Sequence, residues 1–307
     1  MNDASAPAII VAQILEFYGA LGWDELVGEV PQNRLMREFG RGDESPTIRP
    51  QPSVPNPQNA ARSSDHAAPR LQNAAPAAAA PISPLGLNEA LGEAQRELAA
   101  INSLDDLSRF TENFSGWGLR KTATHFLFNS GNPAAQLMVI GECPSTEDDL
   151  SGEVFSDEGG ILFDKMMAAI GRDRKASELE NSLYLTYSIH WRPPGNRSPT
   201  QGELDLARPF VRKHIELIRP KFLLVMGAVP VKILWGLNTS LHKLRGQWME
   251  YEMTDSGTDT PEPVKIPALI TYAPHFLLTN PNRKRESWQD LQELQQRLQQ
   301  KPSISQE

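Results

Sequence analysis

The sequence predicts an α/β protein, a three-layer α/β/α sandwich with a central four-stranded parallel sheet. Two observations carry this. Short apolar runs alternate with longer amphipathic segments over the C-terminal two thirds of the chain. Several of these runs and segments end at a Gly or Pro, among them Gly141, Gly171 and Pro220. Strands that alternate with helices form a parallel sheet covered on both faces, because each crossover helix must bury its apolar side.

The elements follow in order. "LNEALGEAQRELAAI" has helical apolar spacing and a polar face. "AQLMVIGE" is a buried strand ending at Gly141, and "GGILFDKMMAAIG" is a helix closed by Gly171. "SLYLTYSI" is the second strand. "GELDLARPFVRKHIELIRP" is a long helix stopped by Pro220. "KFLLVMG" and "VKIPALITYAP" supply strands three and four, with the helix "AVPVKILWGL" after the former. "RESWQDLQELQQRLQQ" is a final amphipathic helix. Ligands of such sheets bind at the carboxyl ends of the strands. The loops after Gly141, Ile189, Gly227 and Tyr272 are therefore the places where a site is expected.

The chain has 307 residues, enough for one such domain and additional segments. Residues 1–40 read as an N-terminal helical segment, with an amphipathic stretch at 9–20 suited to a protein partner. Residues 41–85 are rich in Pro and Ala and read as a flexible linker, since they bury too little apolar surface to offset chain entropy. The α/β domain is expected over 86–300.

Composition excludes several classes. The single cysteine, Cys143, rules out an intrachain disulfide and a cysteine-held metal. No run of 18 apolar residues is present, so no membrane span is expected, and the N-terminus lacks a basic, cleavable leader. A cytoplasmic monomer is the expectation. The net charge of −8 argues against general polyanion binding. Between residues 116 and 290, however, 20 Lys+Arg face 21 Asp+Glu, so a local DNA-binding patch is compatible with the sequence.

Three of the four loops are distinctive: "GECPSTEDDLSGEVF", "HWRPPGNRSPT" and "APHFLLTNP". With "LRGQW" at 244–248, their order resembles the family 4, iron–sulfur type, uracil-DNA glycosylases over residues 114–294. The phrase "RPPGNRSPT" followed by "ARPFVRKHIELIRP" is long and specific. The resemblance implies a uracil-DNA glycosylase-like fold, DNA as partner, and a role in base-excision repair. The implied reaction is hydrolysis of the N-glycosidic bond of a flipped-out uracil or other damaged base.

The resemblance also assigns roles. Gly141, Glu142 and Cys143 open the first pocket loop, with Glu142 near the attacking water. Phe155 is the ring that stacks on the base. Tyr187 stands where the family places the asparagine that reads the uracil edge, and a phenol cannot reproduce that bidentate contact. Ala273 stands where the family places the histidine that stabilises the departing anion. His275, two residues on, is the candidate substitute. Leu277 matches the apolar wedge that enters the vacated stack. Arg192, Asn196, Arg197, Lys243 and Arg245 lie on loops that would meet phosphates.

The family's cluster cysteines have no counterparts. Their positions are held by Phe114, Trp117, Trp191 and Ala207, which cannot ligate iron. The expectation is no cofactor, with an apolar plug in place of the cluster. With two polar pocket residues changed, reduced or altered activity is expected. The alternative is a catalytically inactive DNA-binding or scaffold protein derived from the family.

Overall fold

A computed structural model describes residues 84–253 and 263–300. The expected N-terminal helix lies outside these residues, as does the linker except for its last two residues. Those two open the first described helix, α1 (Pro84–Ala100). Then come α2 (Leu104–Asn113), β1 (Asn129–Gly131), β2 (Leu137–Gly141), α3 (Thr146–Ser151) and α4 (Glu158–Ala169). The chain continues through β3 (Tyr184–Tyr187), α5 (Gln201–Ile218), β4 (Phe222–Met226), α6 (Ala228–Trp235) and α7 (Leu241–Leu244). It ends with β5 (Trp248–Met253), β6 (Val264–Thr271), α8 (Pro274–Thr279) and α9 (Lys284–Gln299).

The four expected parallel strands are present as the centre of the sheet, in the order β3-β2-β4-β6. The sheet itself has six strands and is mixed, which corrects the four-stranded expectation. β1 adds antiparallel to β3, with Asn129 opposite Thr186, and β5 adds antiparallel to β6, with Trp248 opposite Leu269.

The central strands read as continuous apolar runs because both faces are covered. In β2, Met138 and Ile140 face one core while Leu137 and Val139 face the other. The first core lies against α1, α2, α5 and α6; the second lies against α4, α8 and α9. This is the three-layer sandwich.

Local signals fix the helix starts that matter for the site. Thr200 and Glu203 form a capping box at the head of α5, and Ser145 and Asp148 form one at the head of α3. Each box satisfies two backbone donors that the first helical turn leaves open. α5 ends at Arg219 in the left-handed conformation, directly before Pro220.

Candidate active site

The carboxyl ends of β2, β3, β4 and β6 surround a cavity of about 280 Å³. Its wall includes Gly141, Glu142, Cys143, Phe155, Tyr187, Ala273 and His275, so the structure brings together every residue expected of the pocket. Pro193, Asn196 and Arg197 of the second loop form one side.

Glu142 follows β2 directly and is half-buried. Its Oε1 accepts hydrogen bonds from the backbone N–H groups of Ala228 (2.8 Å) and Val229 (3.2 Å), at the first turn of α6. The carboxylate thereby sits on the positive end of a helix. Gly227 makes room for it: a Cβ there would lie 2.4 Å from the Glu142 side chain, and its φ of 103° suits only glycine. Burial nevertheless pushes the Glu142 carboxyl above the ordinary glutamate value, against the pull of the two N–H groups. A fixed carboxyl group of raised pKa is suited to taking a proton from water. The same burial, with Glu142 adjacent, pushes the Cys143 thiol well up, so it is not a thiolate nucleophile.

Tyr187, at the tip of β3, is buried and lies flat on Phe155, with ring centroids 4.8 Å apart and planes 19° from parallel. Its hydroxyl donates to Asp148 Oδ2 at 2.7 Å and accepts from the Phe155 N–H at 3.2 Å. Asp148 also accepts from the backbone N–H groups of Ser145 (2.9 Å) and Ser156 (2.7 Å). Burial alone would raise its carboxyl, but these hydrogen bonds together outweigh burial and hold it below the usual range. Gly141 admits the pair of rings: a Cβ there would stand 2.7 Å from the Phe155 ring.

Phe155 has a φ of 55°, a conformation unfavourable for a bulky side chain. Arg174 holds it there, donating to the carbonyls of Val154 (2.5 Å) and Phe155 (3.0 Å). Sequence reasoning does not find Arg174, because it lies outside the four loops and carries no motif. It also misses Asp157 and Met226, which line the cavity.

Ala273 is the N-cap residue of α8 and offers no side-chain hydrogen bond. His275 lies on the first turn of α8 at the cavity edge, mostly exposed, with Nδ1 3.7 Å from Asp157 Oδ2. Leu277 is corrected as a wedge: it is buried in the second core, 1% exposed. The large apolar side chain that α8 presents to solvent is Phe276, stacked on Tyr272 at 4.9 Å.

Three of the expected DNA contacts are engaged within the protein. Arg192 pairs with buried Asp149 (3.0 Å), Arg197 makes two bonds to Glu203 (2.7 and 2.8 Å), and Arg245 pairs with buried Asp290. Asn196 accepts a hydrogen bond from Thr146, and Lys243 is exposed.

Phe114, Trp117, Trp191 and Ala207 are all buried in the first core. The Trp117 ring lies 5.3 Å from Trp191 and 5.5 Å from Phe210, which also lies 5.5 Å from Phe114. An iron–sulfur cluster needs thiolates; the sole cysteine lines the cavity instead, so these four residues do not fit one. His190 of the second loop is buried against Phe128 (5.2 Å) and belongs to the core, not to the cavity.

The family model of the uracil DNA glycosylase superfamily matches residues 128–292. The type-4 uracil-DNA glycosylase of Archaeoglobus fulgidus is 27% identical over 198 residues, spanning 63% of this chain and 92% of that protein. The type-4 uracil-DNA glycosylase of Saccharolobus solfataricus is 28% identical over 191 residues, spanning 61% and 81% respectively. That of Sulfurisphaera tokodaii is 27% identical over 185 residues, spanning 59% and 76%.

Proposed function

The chain belongs to the uracil DNA glycosylase superfamily, and from that premise we propose that it is a DNA-repair glycosylase of reduced and altered activity. It hydrolyses the N-glycosidic bond of uracil or another damaged base, as a monomer and without an iron–sulfur cluster. The contacts of Trp117 with Trp191 and Phe210 support an aromatic plug in the cluster's place.

The observation that carries the reading is the stack of Tyr187 on Phe155. A flipped base has to meet that wall, and its aromatic face is already covered by a side chain of the protein. Glu142, fixed through Oε1, takes a proton from the water that attacks the sugar. His275 supplies an imidazole at the cavity edge, beside Asp157. Loss of one polar contact to a developing anion costs roughly 3 kcal/mol, about a hundredfold in rate. Changes at both 187 and 273 therefore lower uracil release by about four orders of magnitude if their effects add.

Single- and double-stranded oligonucleotides carrying uracil, hypoxanthine or xanthine test this, with abasic sites as the readout. Slow release that Glu142→Gln abolishes is expected. Binding of the same oligonucleotides with no release of any base would overturn the enzymatic reading. It would favour an inactive DNA-binding or scaffold protein, the reading to which the bare methyl group of Ala273 points.

A further inference from the structure

We infer that the cavity selects bases that depart as neutral molecules, namely N3- or N7-alkylated purines, which carry a permanent positive charge in DNA. The inference rests on the glycosylase reading and narrows its substrate class.

The first ground is charge. Four carboxyl side chains line the cavity: Glu142, Glu147, Asp148 and Asp157. Only one guanidinium joins them, that of Arg197, and both of its terminal nitrogens are held by Glu203 outside the lining. His275 lies at the edge against Asp157. At short range and away from bulk water such a wall favours a cation and opposes an anion.

The second ground is the leaving group. When uracil departs, the electron pair of the broken bond leaves a negative charge on the base. That charge would face the four carboxyl groups, with only a methyl group at position 273. With an alkylated purine the C1′–N9 bond breaks and its electron pair moves onto the ring, cancelling the charge already there. Water forms the new bond to C1′, and its proton passes to Glu142. No anion develops, so no donor is needed at 273.

The third ground is the aromatic wall. Tyr187 covers Phe155 and itself lines the cavity, and a cationic ring is drawn to an aromatic face by the ring's quadrupole. Tyr187 thus acquires a use in place of the base-reading residue it displaces.

The test uses the full chain and duplexes of one sequence carrying a single N7-methylguanine, N3-methyladenine, uracil or hypoxanthine. Free base is quantified by mass spectrometry, and the rate of depurination without protein is subtracted. Release of the methylated purines at least tenfold faster than uracil is expected, with a tenfold or greater loss in Glu142→Gln. Uracil released as fast as the methylated purines would overturn the substrate class and leave the glycosylase reading standing. Release of no base at all would overturn both.

Discussion

Tyr187 donates to Asp148 at 2.7 Å while its ring rests on Phe155 at 4.8 Å. The residue is thereby fixed at both ends, by hydrogen bonding at the hydroxyl and by stacking along the ring. It acts as a wall and not as a loose substitution. Asp148 is in turn committed to Ser145 and Ser156, so the wall, the α3 cap and the Phe155 loop share one carboxylate.

Replacing Tyr187 with Asn and Ala273 with His together should raise uracil release by about a hundredfold or more over the parent chain, since each change returns a polar contact to the base. Steady-state release from uracil oligonucleotides measures this. Tyr187→Phe separates packing from hydrogen bonding. It keeps the stack but leaves Asp148 Oδ2 and the Phe155 N–H short of one partner each, costing about 1–3 kcal/mol in urea unfolding. An unchanged unfolding midpoint would show that the hydroxyl holds nothing.

The parallel core of the sheet and its four loops were legible because doubly covered strands leave an unbroken apolar signature, as in Leu137 to Gly141. The edge strands were not. β1 is "NSG", with no apolar pattern at all, and takes its shape from its partner Tyr184–Tyr187. β5 does alternate toward its end, burying Tyr251 and Met253 while Glu250 and Glu252 face out, so it lacks the unbroken apolar run that marks the central strands. At the site, which residues meet was readable and what they do there was not. A spacing argument places Leu277 and Phe276 on the same short helix, and only the burial of Leu277 in the second core decides that it turns inward. The basic residues carry the same lesson. Arg192 and Arg245 look like phosphate contacts until Asp149 and Asp290, 43 and 45 residues away, are seen to hold them.

That pairing separates two kinds of basic side chain by experiment. Asp290 is buried at 1% exposure, and burial pushes its carboxyl up despite Arg245 and Thr271. Removing the guanidinium in Arg245→Met strands this group, and a loss of about 3–5 kcal/mol is expected. Lys243 is exposed. Lys243→Ala should leave stability within about 0.5 kcal/mol of the parent. It should weaken binding to a fluorescent duplex and reduce the salt dependence of the affinity by about one phosphate contact. Equal stability losses in the two variants would contradict the division.

The buried histidines set an acid limit on the fold. His190 stacks on Phe128 at 5.2 Å, and its Nδ1 has no hydrogen-bond partner among the described residues. Burial lowers its pKa to about 3. His214 lies flat on Phe128 at 4.5 Å and shares a hydrogen bond of 2.7 Å with the Tyr184 hydroxyl; burial, with His190 nearby, lowers it well below 6.5. Both are neutral in the folded chain and protonate near pH 6.5 when it unfolds. From there down toward pH 3 the unfolded chain binds more protons, so stability is fully present above about pH 6.5 and falls as the pH drops. Urea midpoints measured from pH 7.5 to 4.5 should decline, and His190→Phe should flatten that decline. The phenyl ring keeps the stack on Phe128 and removes the buried nitrogen without a partner. His214→Phe should flatten it too, but from a lower starting stability, because the Tyr184 hydroxyl loses its hydrogen-bond partner in a fully buried position. An acid limb of the same slope in all three proteins would assign the loss to carboxylates such as Asp148 and Asp149, whose hydrogen bonds outweigh burial and hold them below the ordinary range.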